Sequence, residues 1–472
     1  MMAAATTGTV GSRRAPWAGP AAVFLAVVVT QLVLVAVAGT DIPFQDQWDI
    51  EGRWLFPTWI GGGLRATDLF RAFNEHRIVW THLLNLGLFA ANGQWDPLVE
   101  LAAIAVLRAG LAAGLAWLLG RGLTGRGRIA VAAGVAVAFL PHLAWQNVLW
   151  GIESHTYFVL GFSVIALAAL GAEDRPGRRT LGGLVAGGAA LLAMGAGAFV
   201  PVALLGLATV RAIERRRVAG AGGRDVWPAL VLLAAALALR VEVPEHAVLR
   251  AATPGEFLNA FGRALAWPHG GQPLATVAMN LPLALAVAGR VAGRRRAARG
   301  EDFVLLLGGW AVAAAGAMAW TRGGGHEFDG GVPSRYVDFL VLLPLANAWC
   351  AVALAGEATA GGRRVARVAA GAWGIFLFVG WLGLSAEVMQ RLILPRMRDR
   401  DAPVRLAVAF QHGGDPAVFA GQPLLLVPHP DPGSVRAVLT DPRMQGVLPP
   451  SFQPGRPVGP LSRAVRTLLG RQ

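Results

Sequence analysis

Long apolar runs follow one another along most of this chain, with short arginine-rich segments between them. About 20 apolar residues in a helix cross the ~30 Å hydrocarbon layer of a membrane. Only 15% of the 472 residues are charged, and the mean hydropathy is +0.51. Charged residues make up about 25% of a typical soluble protein. The sequence therefore predicts an all-α polytopic membrane protein.

The arginines predict how the chain is oriented. All 42 basic residues are arginine, the net charge is +14, and the arginines lie in short clusters rather than in one continuous basic groove. Such clusters mark the cytoplasmic loops of membrane proteins, so no nucleic-acid partner is expected. Arg13 and Arg14 precede the first apolar run. We therefore expect a multi-pass membrane protein with its N-terminus inside. Arginine without lysine, together with many Ala and Gly residues, is typical of a GC-rich bacterial genome, so the bacterial cytoplasmic (inner) membrane is the expected location.

Eleven spans put every dense arginine cluster on one side of the membrane and the C-terminus outside. They are residues 17–39, 97–119, 129–145, 156–171, two spans within 181–213, 226–239, 273–288, 303–320, 337–354 and 368–386. The run 181–213 is counted as two short spans because Gly195 and Gly197 interrupt it and form an outer hairpin. One long tilted helix is the alternative. The first run is interpreted as a retained signal-anchor, because it exceeds the roughly 7–15-residue core of a cleaved signal.

The weaker apolar stretch from Ile78 to Ala91 is the test of this count. As a further span it would move the later arginine clusters to the outside. It is therefore interpreted as an amphipathic helix lying at the outer interface, with Trp80 and His82 among its anchors.

Two regions are expected. Residues 1–393 form the transmembrane domain, with an outer loop at 40–96, and residues 394–472 form a small extracytoplasmic C-terminal region. Within the second region, residues 422–430 (QPLLLVPHP) predict a short buried strand. Residues 433–444 predict a short helix that Ser434 caps.

The outer loop holds the candidate catalytic residues. Asp46 and Asp49 lie three residues apart, so on a helix they share a face and their repulsion raises one pKa towards that of a useful base. A solvated acidic loop with Asp46 as a helix cap is the structural alternative. Asp41, Glu51 and Asp68 are interpreted as structural.

Other polar residues at the predicted outer ends of the spans are candidates for substrate binding. Arginine binds phosphate bidentately, and carboxylate and imidazole groups beside it suit an anionic lipid headgroup. The candidates are Glu75, His76 and Arg77 before the 78–91 stretch, Glu153 and His155 between the third and fourth spans, and Arg335 and Tyr336 before the tenth. Ordinary ion pairs and snorkelling beside an aromatic belt are the structural alternatives.

Several other chemistries are not favoured. His326, Glu327 and Asp329 have metal-ligand side chains without a diagnostic spacing, so no metal site is predicted. Cys350 is the single cysteine, which excludes a disulfide within the chain. The sequence contains no P-loop, no GxSxG and no Rossmann fingerprint in its strand context, so no nucleotide cofactor is expected. The sequence neither requires nor excludes a divalent cation as cofactor.

The segments PFQDQWD, FNEHR and VPSRY resemble recurring motifs of uncharacterised bacterial members of the GT-C superfamily. These are integral membrane glycosyltransferases that use polyprenyl-phosphate-linked sugars. The first span with its large acidic outer loop, the interfacial helix, the hairpin at Gly195–Gly197 and the polar outer tail are also similar. The likeness covers most of residues 17–390 and implies a GT-C-like fold. The family often has adjacent acidic residues in the first loop, whereas here Gln47 and Trp48 separate Asp46 from Asp49.

The resemblance implies transfer of a hexosyl or pentosyl group from a polyprenyl-phosphate sugar donor. The acceptor would be a lipid or a cell-envelope glycan on the outer face, among membrane lipids. Asp46 would be the general base, with Asp49 or Glu75 supporting it. The phosphate would be neutralised by Arg335 with Arg77 or His76.

A secondary transporter, or a lipid or polysaccharide permease, is the alternative function. That class predicts ionisable residues at the bilayer midplane and broken helices in related halves. Arg108 is the one charged residue in the middle of a predicted span, which favours the glycosyltransferase.

Overall fold

The computed structural model describes residues 17–121, 123, 125–172, 177–216, 226–324, 327–328, 330–423 and 425–471, and these residues form helices and turns without a β-strand. The α-helices of nine or more residues are numbered α1 (Ala18–Ala38), α2 (Val79–Asn92), α3 (Pro97–Leu119), α4 (Gly125–Phe139), α5 (Ser154–Leu170), α6 (Gly177–Leu191), α7 (Phe199–Arg216), α8 (Trp227–Ala238), α9 (Pro254–Ala266), α10 (Pro273–Val291), α11 (Glu301–Arg322), α12 (Leu342–Glu357), α13 (Arg363–Val388), α14 (Ala402–Gly413), α15 (Pro432–Thr440) and α16 (Pro460–Leu468).

The prediction of an all-α polytopic membrane protein is confirmed. In the described part of the chain, nine helical segments are long and apolar enough to cross a membrane. They are 18–38, 97–119, 125–149, 151–170, 195–216, 273–291, 301–322, 334–357 and 363–398. The two other predicted spans correspond to α6 and α8, which have only 15 and 12 residues. Arg13 and Arg14, which carry the orientation argument, lie outside the described residues.

The run 181–213 forms two helices and not one long tilted helix. Helix α6 ends at Leu191, a short turn covers Gly195–Ala198, and α7 begins at Phe199. At Gly197 a Cβ atom would lie 2.5 Å from the backbone carbon and oxygen of Ala190. Only a residue without a side chain therefore allows the turn to pack this closely on the end of α6.

We expect Gly197→Ala to destabilise the protein by about 1–3 kcal/mol, because a backbone that is already packed must move to admit the methyl group. The matched control is Gly206→Ala in α7, where a Cβ atom would meet nothing within 4 Å. The control should be neutral or slightly stabilising, since alanine favours a helix. Thermal unfolding of both variants in detergent measures the difference. Equal melting temperatures for the two would contradict the packing argument.

The outer loop and the C-terminal region share one hydrophobic core. Trp48, Phe56 and Trp95 pack in it with Phe410 and Val435 from the C-terminal region. Charged contacts also join the outer loop to the C-terminal region. Arg466 of α16 places Nη2 3.1 Å from Asp41 and 3.3 Å from Asp96, and the Ser451 hydroxyl donates to Asp41. Asp41 is therefore structural, as expected.

Two predictions about the C-terminal region are wrong. In QPLLLVPHP, the described residues form turns and no strand, because the prolines at its ends and the turn at 425–426 interrupt any pairing. The helix that follows, α15, is capped by Asp431 and not by Ser434; the Asp431 carboxylate accepts from the Gly433 N–H at 2.9 Å. The chain also continues as helix through Arg398, beyond the predicted end of the last span.

Helix α2 exists where an amphipathic helix was predicted, but the two side chains proposed as interfacial anchors contact other parts of the protein. His82 is only 1% exposed, and its Nδ1 lies 3.0 Å from the Leu69 carbonyl. The Trp80 indole donates to the Ala189 carbonyl of α6 at 2.9 Å. Both side chains instead join α2 to the rest of the protein.

Candidate functional site

Asp46 and Asp49 lie where the outer loop turns into a short helix, Trp48–Leu55. This helix has π-type turns, which are rare and are often found at functional sites. The Asp46 carbonyl accepts from the Ile50 N–H at 2.9 Å, and Gln45 has a positive φ of 50°. Asp46 thus begins the helix and Asp49 lies one turn further on, close enough for the two carboxylates to repel each other.

A buried polar cluster fixes this helix against the membrane domain. The Gln47 amide donates to Glu51 at 3.0 Å and to Glu100 of α3 at 2.6 Å. Glu51 also accepts from Asn85 of α2 and from the Trp95 indole. Burial raises the pKa of Glu51 above its ordinary value. Glu51 is therefore a structural group, which agrees with the sequence interpretation.

Asp49 is held by a residue of the C-terminal region. His429 Nε2 lies 3.1 Å from Asp49 Oδ2, and the Ser434 hydroxyl donates to Oδ1 at 2.9 Å. The hydrogen bond from His429 lowers the pKa of Asp49 to about 2, and Ser434 and Arg53 act in the same direction. Asp49 is therefore an ionised, fully engaged carboxylate and a poor general base.

The pair of Asp49 and His429 should stabilise the attachment of the C-terminal region in a limited pH window. Burial lowers the pKa of His429, but the hydrogen bond to Asp49 outweighs burial and raises this pKa above 6.5. The contribution of His429 to stability is therefore complete below pH 6.5 and is lost as the pH rises through the raised pKa. The lowered pKa of Asp49 gives a contribution that is present above pH 3.8 and is lost as the pH falls through about 2.

We expect His429→Ala to cost about 1 kcal/mol between about pH 4 and 6.5, and less outside that range, because Asp49 is partly exposed. The measurement is thermal unfolding of wild type and variant over a pH series. His412→Ala is the control, since His412 is exposed on the same region. A loss of stability in His429→Ala that does not vary with pH would contradict an ionic role for the pair.

Asp46 has the opposite environment to Asp49. Burial, followed by repulsion from Glu153 and from Asp49, raises its pKa to about 6, while His429 and His155 act weakly against this. A carboxylate with a pKa near neutrality accepts a proton more readily than an ordinary aspartate. The predicted repulsion is therefore present, and it acts on Asp46.

The charges of Glu153 and His155 act on Asp46, and that of His155 also acts on His76 of the 70–77 loop. His155 Nε2 lies 3.5 Å from Glu153 Oε2, and the Thr156 hydroxyl donates to the same oxygen at 3.1 Å. His76 lies within reach of the charge of His155. Burial and the neighbouring charge of His155 lower the pKa of His76 to about 4, so His76 is neutral at pH 7. Its Nδ1 accepts from the Gly195 N–H at 3.4 Å.

Two arginines mark the other end of the site. Arg322, at the end of α11, places Nη2 2.9 Å from Glu75 and Nε 3.9 Å from Glu327. Arg335 also pairs with Glu327. The Arg335 guanidinium lies 4.8 Å from the centroid of the Tyr336 ring. Arg322 and Arg335 are called the arginine pair below. His246 Nδ1 also contacts Glu75, at 2.5 Å.

Glu75 is ionised in this cluster. Burial alone would raise its pKa, but the hydrogen bond from His246 and the charge of Arg322 lower it to about 2. Glu75 therefore holds Arg322 and His246 in place and is a poor proton acceptor. This argues against Glu75 as an alternative base.

The structure brings most of the predicted site residues together, with Arg77 as the exception. The charges of Glu153, Asp49 and His155 act on Asp46, and those of His155, Glu75 and Arg322 act on His76, so these residues are linked electrostatically. Arg77 instead turns back on its own loop and donates to the Phe70 carbonyl at 2.6 Å. Tyr336 stacks on Phe328, with ring centroids 6.4 Å apart.

Sequence reasoning did not select Arg322, His246 or His429, and it considered Glu327 only as a metal ligand. His429 lies 380 residues from Asp49 along the chain, so no local pattern could have joined them. Arg322 had a usable signal, since it ends an apolar run on the side where the other candidates were expected. His326 and Asp329 lie outside the described residues. Among the described ones, no group of three His, Cys, Asp or Glu side chains is arranged to hold a metal ion.

A second polar cluster lies inside the membrane domain. Arg108 of α3 places Nη2 2.9 Å from Asp338 Oδ1 and Nε 3.3 Å from Oδ2. Asp338 also accepts from the Tyr157 hydroxyl at 2.8 Å and from Asn147 at 3.2 Å. Both charged side chains are at most 2% exposed. Arg108 was noted in the sequence as unaccompanied, and Asp338 is the partner that sequence reasoning missed.

Comparison of the chain with models of protein families, with functionally characterised proteins and with solved structures finds no match.

Proposed function

We propose that the protein is an integral membrane glycosyltransferase of GT-C type. It would move a hexosyl or pentosyl group from a polyprenyl-phosphate donor to a lipid or cell-envelope glycan acceptor on the outer face. The observation that carries the proposal is Asp46, a carboxylate with a pKa of about 6 that is linked electrostatically, through His155 and His76, to Arg322 of the arginine pair. A proton acceptor and a cationic site on one surface suit sugar transfer from a phosphate leaving group.

The proposed chemistry is a single displacement. Asp46 accepts the proton of the acceptor hydroxyl as the oxygen attacks the anomeric carbon of the sugar. The bond from that carbon to the phosphate oxygen breaks, and the phosphate leaves with the electron pair. The leaving group needs no proton because a phosphate monoester is already a good leaving group, so one carboxylate is sufficient.

The arginine pair would neutralise the departing phosphate. Arg335 is the better candidate, because its side chain is 31% exposed and only Glu327 is recorded as its carboxylate partner among the described residues. Arg322 is held by both Glu75 and Glu327 and is 16% exposed. We propose that the donor phosphate takes the place of Glu327 on Arg335, since both present oxygens that a guanidinium binds bidentately.

The proposal includes the finer topology. Eleven spans, with α6 and α8 as short spans, place the start of α2, the start of α5 and the end of α11 on one face. The acidic residues and the arginine pair then face outside, where lipid-linked sugars would reach them laterally in the membrane. The arginine-rich loops face the cytoplasm, in agreement with the charge rule for membrane proteins.

The proposal is tested by supplying purified protein with radiolabelled polyprenyl-phosphate sugars and membrane lipid extract. We expect labelled lipid or glycan product from at least one donor, and no product from nucleotide sugars, which lack the lipid carrier. The proposal would be overturned if only nucleotide sugars gave product, or if neither kind of donor gave any.

The buried Arg108–Asp338 pair favours a second candidate, a secondary transporter or permease. Ionisable side chains in the middle of a membrane domain often lie on a transport pathway. Against this, all described partners of Asp338 are protein groups that satisfy it, which is typical of a structural pair. Uptake of a solute by liposomes that contain the protein, without any transfer product, would favour the transporter.

A further inference from the structure

A cavity of about 870 Å³ lies at the end of the helix bundle opposite the candidate site. The starts of α1 and α11 and the end of α5 line it, whereas the other ends of these helices lead to Asp46, Arg322 and Glu153. The cavity is therefore separated from the candidate site by the length of a membrane helix. Its size suits a small ligand or the polar part of a lipid.

Four arginines line this cavity, each from a different segment of the chain. They are Arg121 after α3, Arg128 in the first turn of α4, Arg179 in the first turn of α6 and Arg299 before α11. A cation in the first turn of a helix is unfavourable, because the helix dipole is positive there, unless an anion lies beside it. The positions of Arg128 and Arg179 therefore favour an anion beside them.

The described carboxylates do not neutralise these four arginines. Arg121 lies 3.6 Å over the Trp117 ring, Arg128 donates to the Leu123 carbonyl at 3.0 Å, and Arg179 donates to the Ala168 carbonyl at 2.7 Å. Burial and the nearby charge of Arg179 lower the pKa of Arg121. Arg121 and Arg179 are therefore close enough to repel each other.

Asp302 is the one acidic residue in the described cavity wall, and other arginines already hold it. Arg211 and Arg290 each lie 2.5 Å from one of its carboxylate oxygens. Its charge is thus compensated by two arginines that do not line the cavity. The described lining keeps an excess of positive charge.

The remaining walls are largely apolar and reach the protein surface. Trp117, Leu118, Ile129, Leu167 and Phe303 line the cavity. Ile129 is 56% exposed. A pocket that is lined by arginines and also has an exposed apolar wall suits an amphiphile with an anionic headgroup.

We propose that this cavity binds the phosphate headgroup of an anionic phospholipid, with its acyl chains lying along the exposed apolar surface beside Ile129. A free phosphate compound shares the headgroup chemistry but cannot use the apolar wall. Binding of this lipid is independent of the glycosyltransferase proposal, because the residues concerned lie at the other end of the bundle.

The test is native mass spectrometry of the full-length protein in detergent, titrated separately with three probes. These are phosphatidylglycerol, phosphatidylcholine with the same acyl chains, and glycerol phosphate. We expect phosphatidylglycerol to bind most tightly and glycerol phosphate not to bind at the same concentrations. Equal binding of the two lipids, or binding of glycerol phosphate as tight as that of phosphatidylglycerol, would overturn the proposal.

Variants connect the binding to the cavity. We expect R121A/R179A to weaken phosphatidylglycerol binding about 30-fold, from about fivefold for each arginine near an anionic lipid. R294A/R296A is the matched control, because both residues are exposed arginines in the loop before α11 and neither lines the cavity. The control should stay within about twofold of wild type.

A single variant, R299A, keeps the test possible if R121A/R179A does not fold. If R121A/R179A does not fold, R299A alone changes an exposed side chain and should weaken binding about fivefold. Equal weakening in the control and in the cavity variants would show that the effect is general surface charge and would overturn the assignment.

Discussion

Asp46→Asn should lower the rate of sugar transfer about 10²–10⁴-fold, the usual contribution of a general base. Asparagine keeps the size of the side chain but cannot accept the proton of an acceptor hydroxyl. The measurement is the initial rate of labelled product formation at saturating donor, with thermal unfolding to show that the variant is folded. Retention of more than about a third of the wild-type rate would move the base elsewhere.

The pH profile tests the same assignment more sharply. With a pKa of about 6, Asp46 is protonated and inactive as a base below that pH, and it is ionised and active above it. The wild-type rate should therefore rise through about pH 6 and then level off. In Asp46→Asn this acid limb should disappear along with the activity.

Asp49→Asn is the matched control, because it makes the same change three residues away. Asp49 is already ionised and bound to His429, so its loss should cost less than about tenfold in rate. Removing its charge also removes part of the repulsion that raises the pKa of Asp46. The acid limb of the Asp49→Asn profile should consequently shift to lower pH. A loss as large as that of Asp46→Asn would assign the base to Asp49.

Asp338→Asn should destabilise the protein by about 3–5 kcal/mol, because it leaves the Arg108 guanidinium buried without its counter-charge. Arg108 would keep the Phe139 carbonyl, to which its Nη1 donates at 2.5 Å, but no carboxylate among its described contacts. The measurement is the unfolding transition in detergent as denaturant is added.

Two control variants separate charge from packing. Arg108→Met with Asp338→Leu removes both charges and should recover most of the lost stability, since paired apolar replacements often restore it. Tyr157→Phe removes one hydrogen bond to Asp338 and should cost about 1 kcal/mol. A stable Asp338→Asn protein that has lost solute uptake would contradict the structural role and favour the transporter.

Much of the fold follows from sequence alone because the membrane restricts the choice. A long apolar segment without partners for its backbone must form a helix in lipid, so residues 97–119 and 273–288 could be predicted nearly to their ends. Gly195 and Gly197 likewise predicted the break between α6 and α7. The short spans were less certain, since α8 has 12 residues and length alone does not decide whether it crosses.

The C-terminal region was the least predictable part. Its elements are short, and they are held by contacts to the outer loop rather than by their own periodicity. Residues 422–430 look like a strand because four apolar residues follow one another, yet turns occupy the described positions. Short apolar stretches carry no reliable period.

An all-α membrane protein, and Asp46 and Asp49 as candidate acids, follow from the order of residues alone. Only the tertiary structure distinguished the two acids, because their pKa values depend on burial and on partners far along the chain. The hydrogen bond from His429 lowers the pKa of Asp49, while burial and then the charge of Glu153 raise that of Asp46. The Arg108–Asp338 pair likewise joins residues 230 positions apart. Electrostatic energy depends on distance in space and on local solvent, and neither can be read from order along the chain.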